Sequence, residues 1–170
     1  MKNNYITFTA LAAALALVLG YVEHLIPLPI PIPGVKLGLS NLAVLFMLYT
    51  DKRAAWVVMF LKVLLSGLLF SGMSAFLFSC AGGILSLAAM HTLHASGKFS
   101  VVGVSIAGGI FHNVGQILAA GLILHTGSVF YYLPFLIAAG LVTGIIIGII
   151  CKIVLARVHK VTSKNSEKKC

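Results

Sequence analysis

LIPLPIPIPGVKLGLSNL, residues 25–42, lies between two strongly apolar segments and cannot continue the helix of either one. Prolines occupy alternate positions in its first half: Pro27, Pro29, Pro31 and Pro33. Each proline lacks a backbone N–H and disfavours helical conformation in the residue before it. Gly34 permits a tight turn, and Lys36 is a lone cation before the next apolar run. We expect this restricted, extended connection to cap or line a ligand cavity.

The composition indicates a membrane protein. Of the 170 residues, 60% are hydrophobic and 9% are charged, against about 25% charged residues in ordinary soluble domains. The formal charge is +9, and half of the 12 Lys and Arg residues lie between Lys152 and the end of the chain. Such a cluster beside an apolar segment indicates the cytoplasmic side and contact with anionic lipid rather than with nucleic acid.

The apolar segments predict an all-α integral membrane protein with six spans, since a span needs about 20 apolar residues. The second segment is short, and we expect the proline connection to supply its missing length where protein or water satisfies the backbone. The predicted spans cover residues 5–26, 37–50, 54–70, 73–93, 101–124 and 129–155. Residues 1–157 therefore form a single transmembrane domain, and residues 158–170 form a basic tail.

The charges of the connections predict the orientation. Lys52, Arg53 and Lys98 lie on one side of the predicted bundle, whereas the connections at 71–72 and 125–128 contain no Lys or Arg. The positive-inside rule therefore places both termini in the cytoplasm and residues 23–36 on the outer side.

Small residues recur at four-residue spacing on two helices. Gly140, Gly144 and Gly148 form a ridge on the sixth span, for which we expect internal helix packing, with a partner contact as the alternative. Ala10 and Ala14 give the first span a smooth face that is the better candidate for docking a partner protein.

Polar residues inside a membrane are costly, so each indicates a functional site. Lys62 lies near the middle of the third span, and among the three acidic residues only Glu23 is expected on the outer side with it. Lys62 either snorkels or pairs with a carboxylate, or it serves a ligand. Because Lys36 and Lys62 together outnumber Glu23, the cavity should favour an anionic ligand.

The fifth span carries His112, Asn113 and Gln116, which can donate and accept hydrogen bonds. These residues form either a buried network between helices or part of a ligand site. Asn41, at the start of the second span, either lines the entrance or caps the helix. From polarity and depth, the predicted ligand-binding set is Glu23, Lys36, Asn41, Lys62, His112, Asn113 and Gln116.

The sequence gives little support for catalysis. It contains no phosphate-binding loop, nucleophile elbow, zinc-peptidase motif or Asp-rich diphosphate motif. Three cysteines, widely spaced, indicate neither a disulfide framework nor a metal site. His91 and His94 have no acidic or Cys neighbour, so a cytoplasmic loop that contacts lipid or a partner is favoured over a metal site. We therefore expect no enzyme, catalytic residue, metal or cofactor.

Three segments resemble a known family: PGVKLGLSN (33–41), FLFSCAGGILSLAAM (76–90) and GGIFHNVGQILAA (108–120). They resemble the Gx transporter family, also labelled heptaprenyl diphosphate synthase component I. That family is similar in size and layout to the substrate-binding S components of bacterial energy-coupling-factor (ECF) importers. The resemblance implies a six-helix protein of the cytoplasmic membrane that captures a small molecule from outside and works with a transmembrane coupling subunit and two cytoplasmic ATPases. In that scheme, Ala10 and Ala14 dock the coupling subunit.

Two function classes follow. In the first, the protein binds and helps to import a small, anionic, vitamin-like or isoprenoid-related molecule. In the second, it is a non-transporting membrane subunit of a quinone- or flavin-dependent redox pathway or of an isoprenoid pathway. The synthase label implies an activity for which the sequence lacks the acidic residues.

Overall fold

A computed structural model describes the chain over residues 2–26 and 38–167. The predictions for the proline connection, for Gly34 and for Lys36 lie outside the described residues. The described part is all-helical, which confirms the predicted fold class. Its six α-helices are α1 (Lys2–Leu25), α2 (Leu39–Thr50), α3 (Lys52–Ser66), α4 (Gly72–Ala95), α5 (Val101–Leu124) and α6 (Leu133–Glu167).

Five of the helices are long and apolar enough to cross a membrane, and α2 is the exception. Its 12 residues cover about 18 Å, less than the hydrocarbon thickness of about 30 Å. Half of its residues are nevertheless buried, among them Leu45, Met47 and Leu48 at 1% exposure or less. The short helix that the sequence predicted therefore lies inside the bundle, where α1, α3 and α6 pack against it.

Local side-chain bonds explain where two helices begin. Asp51 separates α2 from α3, and its carboxylate accepts the backbone N–H groups of Arg53 and Ala54 at 2.9 and 3.1 Å. The hydroxyl of Ser100 accepts the N–H of Gly103 at 3.2 Å at the start of α5. Both residues satisfy donors that a helix N-terminus leaves without an intrahelical partner.

The third predicted span, residues 54–70, matches a membrane span that ends at Phe70, whereas the sixth predicted span, residues 129–155, ends too early. A π-helical turn, Gly67–Ser71, connects α3 to α4, and Gly72 follows it with a φ of 76°, a conformation that glycine adopts without strain. A 3₁₀ turn, Gly127–Tyr132, precedes α6, which then continues to Glu167 instead of ending near residue 155. At 35 residues α6 is about 52 Å long, so it exceeds the thickness of a bilayer core.

The glycine ridge packs inside the bundle, as predicted. A Cβ on Gly144 would lie 2.6 Å from Ile106 Cα, and a Cβ on Gly148 would lie 2.7 Å from Val102 Cα. The α6 backbone therefore rests directly on α5, and α5 rests on α4 in the same way, since a Cβ on Gly115 would lie 2.8 Å from Ala81 O. Close backbone approach of this kind is how helices associate in lipid.

Candidate functional site

Lys62 is buried near the middle of the membrane-spanning stretch of α3, at 9% exposure. Its ammonium Nζ donates a hydrogen bond to Asn41 Oδ1 at 2.5 Å. Asn41 lies in the first turn of α2, so this bond joins α3 to the beginning of the short helix. The structure thus places Asn41 and Lys62 in contact, two residues that were predicted separately from the sequence as parts of a ligand site.

Glu23 lies next to the same helix start. Its Oε1 accepts the backbone N–H of Gly38 at 2.5 Å, and Gly38 precedes α2 with a φ of 75°. Because Glu23 is near the end of α1, the bond ties that end to the beginning of α2. Glu23, Asn41 and Lys62 therefore surround one helix N-terminus. Lys36, the fourth residue predicted for this region, lies outside the described residues.

A cleft opens between α2, α4, α5 and α6 and encloses about 290 Å³ of space, open solvent included. Asn41 lines it, together with one polar side chain from each of the other three helices. The described lining residues are Gly38, Asn41, Leu45, Ser86, Met90, Ser105, Gly108, Gly109, Thr143, Gly144 and Ile147.

Three of the polar lining residues were not selected from the sequence. Ser86 Oγ donates to the backbone carbonyl of Gly108 at 2.8 Å, and Thr143 Oγ1 donates to that of Gly140 at 3.4 Å. Ser105 is buried at 4% exposure. Hydroxyl side chains commonly bond to helix carbonyls inside membrane proteins, so their residue types alone give no indication of a cleft. Position 86 does fall within the segment 76–90 that carries the family resemblance.

The polar residues of α5 face other neighbours. Asn113 Nδ2 donates to the backbone carbonyl of Leu136 in α6 at 2.6 Å. His112 and Gln116 pack against Gly82 of α4, where an added Cβ would lie 2.6 Å from His112 O and 2.8 Å from Gln116 Cγ. The bond of Asn113 joins α5 to α6, and the close contacts at Gly82 pack α5 against α4. The described lining of the cleft does not include these three residues, and a ligand role for them stays a prediction.

Ala10 and Ala14 are exposed on α1, whereas Ala13 and Ala16 on the other side are buried at 5% and 0% exposure. The predicted docking face therefore points away from the bundle. Large apolar side chains flank it, with Leu11 at 66% exposure. This surface is available to lipid or to a membrane partner, and its docking role stays a prediction.

His91 and His94 lie within α4, which continues to Ala95, so the expectation of a loop at these positions was wrong. Trp56 Nε1 donates to His91 Nδ1 at 3.5 Å. The ring of His94 packs on Tyr49 with the ring centroids 4.3 Å apart. Both histidines therefore connect α4 to aromatic side chains of α2 and α3. The described residues contain no group of three or more His, Cys, Asp or Glu side chains placed to hold a metal ion.

The helices define a helical, multi-pass membrane protein with a small cleft between four of its helices. The chain belongs to the heptaprenyl diphosphate synthase component I family, whose model matches residues 12–154. The matched region includes Glu23, Asn41, Lys62 and every described residue that lines the cleft. Comparisons with curated proteins and with solved structures found no match.

Proposed function

We propose that this protein is the substrate-binding component of an energy-coupling-factor-type importer in the bacterial cytoplasmic membrane. It captures a small anionic molecule from the outer side, and it is not itself an enzyme. The observation that carries the proposal is the hydrogen bond between buried Lys62 and Asn41, a lining residue of the cleft. Buried ionisable residues in membrane spans are expensive and mark ligand or ion sites.

The charge of this pair supports an anionic ligand. The amide of Asn41 is neutral, and its oxygen holds the Lys62 ammonium in place at the beginning of α2. Coulomb attraction is stronger away from bulk water, so an anion in the cleft gains from the nearby ammonium. The helix N-terminus is not part of this gain, because Glu23 already accepts the N–H of Gly38 at that point.

The outward face of α1 supports a membrane partner. Small residues allow close approach between helices in lipid, and Ala10 and Ala14 are exposed on α1. A transmembrane coupling subunit with two cytoplasmic ATPases would dock on this face and drive transport.

The test is native mass spectrometry of protein purified in mild detergent. We expect a bound small molecule on the wild type and at least tenfold lower occupancy in Lys62→Met, since hydrogen bonds that involve a charged group contribute about 1.5–3 kcal/mol. Lys52→Met is the matched control, because Lys52 is an exposed lysine at the beginning of the same helix. A wild-type protein that never carries a small molecule would refute the proposal.

The family description favours a second candidate, a non-transporting membrane subunit in heptaprenyl diphosphate synthesis. This candidate predicts that prenyl-chain elongation by membranes depends on the protein and is unaffected by Lys62→Met. Elongation that is unchanged after deletion of the gene would exclude it.

A further inference from the structure

The bond between Lys62 and Asn41 fixes the orientation of the Asn41 side chain. A lysine ammonium carries only donor hydrogens, so the Asn41 atom that it contacts must be the carbonyl oxygen, Oδ1. The amide nitrogen Nδ2 is therefore turned the other way and lies beside Gly38, 3.6 Å from a Cβ built on that glycine. Gly38 and Asn41 both line the cleft. Asn41 thus presents N–H donors at the α2 side.

Lys62 acts on the cleft through Asn41. Among the described residues, the lining includes Asn41 and does not include Lys62. Hydrogen bonds in a chain polarise one another, so the ammonium on Oδ1 makes the Nδ2 hydrogens stronger donors. The positive charge of Lys62 on α3 therefore strengthens the amide donors of Asn41 on α2, and Asn41 lines the cleft.

Two hydroxyl groups in the lining of the cleft, on α4 and α6, offer acceptors rather than donors. A hydroxyl group has one hydrogen to donate and two acceptor lone pairs. Ser86 gives its hydrogen to Gly108 O, and Thr143 gives its hydrogen to Gly140 O. Both hydroxyls therefore have acceptor capacity left for a ligand. They belong to α4 and α6, whereas Asn41 belongs to α2, and all three residues line the cleft.

We propose, building on the binding function above, that Asn41 is the residue that contacts the anionic oxygen of the ligand. Lys62 is then a positioning residue that orients and polarises Asn41. Ser86 and Thr143 accept hydrogen bonds from a hydroxyl or amino group at the other end of the molecule. The ligand class is a small molecule with a carboxylate or another oxyanion at one end and a hydrogen-bond donor at the other.

Asn41→Asp tests this assignment, because it keeps an oxygen acceptor for Lys62 and replaces the amide donors with a second anionic oxygen. The probe is the small molecule that heat releases from the wild-type protein, identified by mass spectrometry and rebound to stripped protein in a calorimeter. We expect Lys62→Met to weaken rebinding by at least tenfold and Asn41→Asp to weaken it more, with a thermal midpoint for Asn41→Asp no lower than that of the wild type.

Chemical changes to the probe test both ends of the cleft on the wild-type protein. Methylation of the oxyanion and acetylation of the donor group should each weaken rebinding by about tenfold, a loss of about 1.4 kcal/mol. Thr143→Val should lower the affinity for the unmodified molecule and leave that for the acetylated one unchanged. Thr92→Val is the matched control, because Thr92 is exposed and bonds to Ala88 O in its own helix.

Three outcomes separate this inference from the proposed function. A released molecule that lacks an oxyanion or a donor group refutes the inference and leaves the binding function intact, and so does unchanged rebinding to Asn41→Asp. If Asn41→Asp does not fold, rebinding of the methylated and acetylated molecules decides the question. If the wild type releases no small molecule, the proposed function fails and the inference fails with it.

Discussion

Gly109 of α5 and Gly140 of α6 face each other backbone to backbone, each in contact with the carbonyl group of the other. A Cβ on Gly140 would lie 2.7 Å from Gly109 O, and a Cβ on Gly109 would in turn meet Gly140 O. Because the obstructing atoms belong to main chain, no side-chain rotation can make room. Gly109 also lines the cleft, so the same close approach that joins the helices shapes the site.

Gly140→Ala is predicted to separate α5 from α6. Overpacking typically costs about 1–3 kcal/mol, and a clash with main chain should lie at the upper end of that range. Thermal unfolding in detergent would show a lower midpoint. Gly127→Ala is the control, because no described atom lies within 4 Å of a Cβ at that position. Equal midpoints for the two variants would contradict the prediction.

Glu23→Ala is predicted to loosen the connection between α1 and α2, because it removes the acceptor for Gly38 N–H. Hydrogen bonds to charged groups contribute about 1.5–3 kcal/mol to stability. Glu23→Gln keeps an oxygen at that position and should retain most of the stability. Unfolding midpoints in one detergent give the comparison, and indistinguishable alanine and glutamine variants would show that the bond contributes nothing.

Ala10→Leu combined with Ala14→Leu is predicted to abolish assembly with a coupling subunit, because two leucines would fill the face that a partner helix approaches. The bundle should unfold at the wild-type temperature, since both alanines are exposed. Co-purification with an affinity-tagged coupling subunit measures assembly. Ala138→Leu, at an exposed alanine of α6, controls for added apolar bulk. Assembly of the double variant at the wild-type level would show that α1 does not provide the docking face.

Both termini are predicted to lie in the cytoplasm, because Lys52, Arg53 and Lys98 lie at one end of the bundle with the basic end of α6. A fluorescent reporter that folds only in the cytoplasm should be bright when fused after Lys169. An alkaline phosphatase fused at Gly127 should be active, since this enzyme needs the outer compartment. The reverse pattern would show that the bundle has the opposite orientation, with the end of α1 on the inner side.

Residue types along the chain were enough to predict the number of helices, the short second helix and the packing of the glycine ridge, because each depends on apolar length or on spacing within one helix. The start of α5 at Val101 matched the prediction. The end of the third span at residue 70 also matched, although the π-helical turn in its last part was not predicted. The end of α6 at Glu167 did not match, because a polar helical extension beyond residue 155 gives no apolar signal.

The candidate site was predicted only in part. Asn41 and Lys62 were selected for their depth, and their contact depends on how α2 packs against α3. Ser86 and Thr143 were missed because serine and threonine are common in membrane helices, and only the packing of α4 and α6 around α5 brings them to the cleft. His112 and Asn113 are neighbours in sequence, but helical geometry turns them toward different helices.

The 12 residues of α2 have a consequence for how the chain enters the membrane. A helix this short cannot cross the bilayer by itself, and backbone groups at its ends need protein partners at membrane depth. Asp51 alone separates it from α3, so we expect α2 and α3 to enter the membrane together as one helical hairpin. Glu23 accepts the N–H of Gly38 and so supplies a partner at the beginning of α2. Because α6 contributes Thr143, Gly144 and Ile147 to the lining, we expect the cleft to be complete only after α6 has joined the bundle.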